Sequence, residues 1–147
     1  MLITARNPVA GTEVEFDVLG PNGEVQTVKF IAQFHRMKRT AYQELVTKLN
    51  RIGLLVLDDN GKPLVGEDGL PTGEVHQPPF ETDVQFLQER MAGWVHVDRE
   101  FSKDELASFI EDWPESVVPL ADAFHRVHAA VPRGKKTVHA GEAREKN

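Results

Sequence analysis

The chain contains no cysteine. Disulfides, thiolate metal sites and thiol redox chemistry are therefore excluded, although this alone does not fix a compartment. No apolar run approaches the roughly 18 residues that a membrane span requires. The first residues, Met1–Phe16, lack the apolar core of a secretory leader, so the expectation is a cytoplasmic protein. Catalytic signatures are missing as well. There is no G-x-S-x-G, no H-E-x-x-H, no phosphate-cradling glycine loop and no dinucleotide fingerprint. These absences point to a protein that is not an enzyme and needs no cofactor.

Basic charge is also scarce: the net charge over 147 residues is −6. It is unevenly spread. Residues 1–131 hold 12 basic and 21 acidic side chains, whereas residues 132–147 hold five Lys/Arg against two Glu. An acidic body argues against broad nucleic-acid binding, which needs cations to displace counterions from phosphate. The basic tail reads as a flexible, solubilising segment, with anionic partners as the alternative reading. The length suits one domain able to bury a core without staples, expected over residues 1–131.

What is present reads as α+β, mainly α. Over residues 12–34, Val14, Phe16 and Val18 alternate with acidic residues, and Val28, Phe30, Ala32 and Phe34 share one face with Thr27, Lys29 and Gln33 on the other. That two-residue period, with Gly20-Pro21-Asn22-Gly23 between, predicts a β-hairpin whose turn uses Gly23 in the left-handed region. The cluster His35-Arg36-Met37-Lys38-Arg39 could contact an anion or nucleic acid. A solvated strand-to-helix junction is the simpler reading, because no aromatic platform is interleaved with the cluster. Thr40 and Gln43 match a capping box and predict a helix over residues 40–52, with an apolar stripe of Tyr42, Leu45, Val46, Leu49 and Ile52, stopped at Gly53.

Residues 54–80 read as a loop or insertion. Two turn signals, Asp58-Asp59-Asn60-Gly61 and Glu67-Asp68-Gly69, predict a small hairpin or a mobile loop. Their carboxylates do not form a calcium loop, because Lys62 occupies a ligand position and the closing Glu is absent. Residues 82–131 read as a helical core. Thr82 and Gln85 cap a helix expected to end at Gly93, with Trp94–Asp98 extended after it. Ser102 and Glu105 cap a second helix, with Phe101 placed to staple Leu106. That helix stops at Pro114, and a last one begins near Ser116 and tolerates Pro119 in its first turn. The expected architecture is the hairpin packed against a small bundle of about four helices, with Trp94 and Trp113 holding helix segments together.

The best polar cluster is Asp122, His125 and His128, lying along one helix edge. A zinc site or acid–base pair would need further ligands, and none is placed to complete one. Ordinary surface side chains are the simpler reading, so no catalytic, cofactor or metal residue is assigned, and the partner-binding residues are left unknown.

The helix ending in Gly93-Trp94-Val95, Phe101-Ser102 opening the next helix, the Trp113-Pro114 break and the aromatic last helix together resemble the tail assembly chaperones of long-tailed bacteriophages. Ile3-Thr4-Ala5-Arg6, the hairpin end Phe34-His35-Arg36, the Lys38-Arg39 entry into a helix and the ending Glu145-Lys146-Asn147 are similar to that family too. Residues 54–80 depart from its pattern. The resemblance implies a non-catalytic protein of the bacterial host cytoplasm, absent from the mature virion. It implies the tape-measure protein and the tail-tube protein as partners, with no nucleic acid and no membrane. It also implies a longer form made by programmed frameshifting, for which the codons of Arg133-Gly134-Lys135-Lys136 could supply a slippery run. A head–tail or tail-end protein retained in the particle is the alternative.

Overall fold

A computed structural model describes residues 6–131. The basic tail expected over residues 132–147, and with it Arg133–Lys136, lies outside them. Two eleven-residue strands, β1 (Val9–Leu19) and β2 (Val25–His35), pair antiparallel along their full length, with Val14 opposite Phe30 and Phe16 opposite Val28. The turn closes through Gly20 N–H to the Glu24 carbonyl (2.7 Å) and Gly23 N–H to the Gly20 carbonyl (3.0 Å). Gly23 has φ of 83°, the left-handed position a three-residue hairpin loop reserves for glycine. The outer face carries Glu15 opposite Lys29, and Thr27 Oγ1 donates to Asp17 at 2.7 Å. Both are cross-strand pairs that fix register.

A third strand, β3 (Met91–Val95), pairs antiparallel with β2 and completes the order β1-β2-β3. The expected helix stop at Gly93 is therefore corrected. Helix α2 (Asp83–Arg90) ends three residues earlier and runs straight into the strand. Gly93 sits opposite Gln33, where an added Cβ would lie 2.7 Å from Gln33 Oε1. The register shifts between Gln33 and Phe34 so that Ala92 is the extra residue, a β-bulge. The chain turns out of β3 at His96, whose φ is 72°. The extended stretch expected over Trp94–Asp98 thus stops at Val95.

The helices form a layer on one sheet face rather than a bundle, and the strands are a larger share of the fold than expected. Helix α1 spans Arg39–Arg51, α3 Lys103–Asp112 and α4 Val117–Arg126, with a single 3-10 turn at Pro114–Ser116 between α3 and α4. Thr82 Oγ1 accepts from Gln85 N–H, and Ser102 Oγ from Glu105 N–H, each at 3.0 Å, so both expected caps form. The reciprocal bonds differ. Gln85 Oε1 reaches Glu81 N–H (2.9 Å), and Glu105 faces Arg99 (3.6 Å). Phe101 packs edge-on against Trp94 (5.1 Å).

The core is a chain of aromatic contacts across the sheet–helix boundary. Phe30 meets Phe109 (5.3 Å), Phe34 meets Phe124 (5.8 Å), and Phe86 meets Phe124 from α2 (5.3 Å). Trp94 stands on β3, not behind a helix. It packs on Phe109 and donates its indole N–H to the Arg99 carbonyl at 2.8 Å. Trp113 packs on Phe16 of β1. The tryptophans therefore clamp helix α3 to opposite edges of the sheet. Ser116 is fully buried, yet its hydroxyl donates to the Trp113 carbonyl at 2.6 Å, which answers the cost of burying it. Among the described residues, no helix is long and apolar enough to cross a membrane.

Candidate functional site

Residues 52–76, between α1 and α2, form two small hairpins in succession, the first of the two alternatives their turn signals offered. Asp58 N–H bonds the Lys62 carbonyl and Gly61 N–H the Asp58 carbonyl (2.7 and 3.0 Å). Gly66 and Leu70, with Gly69, repeat the pattern at 2.8 and 3.0 Å. Gly61 and Gly69 both have φ of 78°. This is the same turn that closes β1 onto β2. Leu55 pairs with Val75, Leu57 with Pro63 and Val65 with Pro71. Each of the three short legs is thus bridged to the other two. The turn carboxylates are engaged locally: Asp58 Oδ1 accepts from Asn60 and Lys62 N–H, and Asp68 Oδ1 from Leu70 N–H. They cap turns, as their composition suggested.

This appendage leaves its large apolar side chains in water. Leu54 is 57% exposed, Leu57 51%, Val65 59% and Leu70 63%, with Leu55 and Val75 also exposed. Scattered exposed leucines are ordinary, but their concentration on one small unit makes this the candidate surface. Leu54, Leu55 and Leu57 line a shallow groove of about 300 Å³ beside Arg51. Leu49 lies one helical turn before Ile52 on α1. It opens with Phe80, Phe86 and Val117 onto a second apolar cleft of about 160 Å³ between α1, α2 and α4. No residue here was assigned a binding role from the sequence. The turn glycines were legible, but which side of the turns would remain uncovered depends on the rest of the fold.

The sequence-derived cluster of Asp122, His125 and His128 does not converge. Asp122 pairs with Arg126 one turn on, and Arg126 also reaches the Glu13 carbonyl. The Tyr42 hydroxyl and His125 Nδ1 share a hydrogen bond at 2.7 Å. His128 Nε2 accepts from Met37 N–H at 3.0 Å, while its Nδ1 donates to the Phe124 carbonyl at 2.9 Å. The His128 ring stacks on Tyr42, 4.5 Å apart and nearly parallel. The two histidines are used to tie α4 to the start of α1, leaving no ligand pair open. Among the described residues, no three His, Asp or Glu side chains gather where they could hold a metal ion.

Burial pushes the Tyr42 phenol up, so it keeps its proton. Burial also pushes the His125 imidazole below its ordinary value. Asp122 opposes that shift, and His128 adds to it. The unfolded chain then binds the proton more readily than the native one. Stability from this group is present above the ordinary imidazole value of about 6.5 and is lost as pH falls below it. Urea unfolding from pH 7.5 to 5 should show the midpoint falling on the acid side. His125→Gln, which keeps an acceptor but cannot titrate, should flatten that fall. An equally steep fall in the variant would rule the group out as its source.

The family model described as phage tail assembly chaperone matches residues 2–134 of the chain. No curated protein and no solved structure matches it.

Proposed function

The chain belongs to the phage tail assembly chaperone family, and on that premise we propose that it binds the tape-measure protein, keeps it soluble and helps recruit tail-tube subunits around it. It does this in the cytoplasm of the bacterial host and is absent from the finished particle. The observation that carries the reading is the exposed apolar appendage over residues 52–76, with a separate apolar cleft beside Leu49 and Phe80. A long helical client presents apolar stripes that aggregate unless covered, and grooves lined by leucine and phenylalanine accept such stripes. The task needs no chemical step. Consistent with that, the best polar cluster is engaged in holding α4 to α1.

Acidic side chains on α3, Asp104, Glu105, Glu111 and Asp112, would keep a complex in solution by repulsion between copies. A longer frameshifted form belongs to the same reading and calls for a slippery heptamer in the codons for Arg133–Lys136. The direct test is co-expression with the long tape-measure gene product of the same tail cluster. The client should move from the pellet to the soluble fraction and co-purify. If purified virions instead contain this chain at ring stoichiometry, it is a structural tail or connector component.

A further inference from the structure

The junction of β2 and α1 forms a cleft of about 520 Å³ that the client-binding reading does not use. Arg6, Arg36, Lys38 and Arg39 line it with no carboxylate among them, and Met37 and Val127 supply apolar wall. The ion pairs of the described residues use Arg99 and Arg126. None involves these four cations, although the chain carries 23 acidic side chains against 17 basic ones. Gathering like charges without partners costs Coulomb energy, so the cluster calls for an opposite charge. Arg36 adds to it: its Nε is buried with no hydrogen-bond partner among the described residues, as is Arg90 Nε away from the cleft, a state buried donors rarely keep.

The helix that opens on the cleft is equally unanswered. Lys38 occupies the N-cap of α1 with no side-chain acceptor, and the first turn has no acidic residue. Helices α2 and α3 have both, through Thr82 with Asp83 and Ser102 with Asp104. Free N–H groups and the positive end of the α1 dipole therefore point the same way as the four cations. The walls are held in place, since Arg36 N–H bonds the Pro8 carbonyl (2.8 Å) and Met37 N–H bonds His128 Nε2.

We propose that this cleft is a receptor for carboxylates carried on a polypeptide, an acidic segment of a partner protein. Guanidinium forks match carboxylates two bonds at a time. The Met37 and Val127 surface suits the methylene stems and apolar neighbours of such a segment, which a bare phosphate would not use. A long polyanion would meet the acidic body around the cleft. The inference does not depend on which surface holds the tape-measure protein.

The test is fluorescence anisotropy of the full chain with a labelled peptide of alternating glutamate and leucine, beside the same peptide with glutamine. The glutamate peptide should bind at low salt, and the glutamine peptide should not. Added salt should weaken the binding. Lys38→Gln with Arg39→Gln, both exposed, should weaken it roughly tenfold while leaving the urea midpoint unchanged. Arg36→Gln should weaken it further. If that variant fails to fold, the exposed pair still decides the matter. Four results would each overturn the site: no binding of the glutamate peptide, equal binding of the glutamine peptide, affinity unmoved by the double substitution, or tighter binding of a single-stranded DNA of equal charge.

Discussion

Phe124→Ala is expected to cost about 3–5 kcal/mol of stability. The ring is completely buried and meets aromatic side chains of the sheet, α1 and α2. Phe34 meets it at 5.8 Å, Tyr42 at 6.0 Å and Phe86 at 5.3 Å, with His128 at 4.8 Å. Truncation removes the transfer energy of the ring and leaves a cavity walled by rigid aromatics that cannot collapse into it. Native domains hold only about 5–15 kcal/mol in all, so this variant should be partly unfolded or sharply shifted in urea. Val118→Ala, on the same helix but 76% exposed, should change stability by no more than about 0.5 kcal/mol. Tryptophan fluorescence is a suitable probe, because Trp94 and Trp113 are half-buried against α3. A Phe124→Ala loss below about 1 kcal/mol would mean that the helix layer is not held on the sheet by this ring.

The parts of the fold that could be read in advance are those set by local chemistry. Alternation of Val14 and Phe16 with carboxylates fixed the face of β1, and Gly23 marked its turn. Ser102 and Thr82 marked helix starts because a cap is satisfied within three residues. The third strand was hidden for reasons equally specific. Met91–Val95 is short, its bulge at Ala92 breaks the alternation, and Gly93 imitates a helix stop although its small size serves the neighbouring Gln33. Thr40 matched a capping box that does not form. Pro8 and His128, far off in sequence, hold the N–H groups of Arg36 and Met37. They leave Lys38 extended (φ −67°, ψ 153°) as the last residue before the helix. Long-range hydrogen bonds of this kind leave no local signal. The same holds for the apolar appendage. Its turns were legible, but the exposure of Leu54, Leu57 and Leu70 depends on where the helix layer ends.

That exposure yields the largest functional effect. Replacing Leu54, Leu57 and Leu70 together by serine should abolish client solubilisation while leaving the fold intact. Each is more than half exposed, so little native burial is lost, and the urea midpoint should move by less than about 1 kcal/mol. In a complex, each leucine would bury its remaining surface, worth roughly 1 kcal/mol or somewhat more per side chain. Losing three is then on the order of a hundredfold to a thousandfold in affinity, enough to return the client to the pellet at cellular concentrations. Leu64 and Val56 make the informative control. They are half-buried within the same unit, and Leu64 N–H bonds the Val56 carbonyl at 3.3 Å. Substituting them should loosen the appendage itself and lower stability first. A triple variant that still solubilises the tape-measure protein would move the client site off the appendage. The cleft lined by Leu49, Phe80 and Phe86 would then be the surface to mutate next, and Leu49→Ser should carry the effect instead.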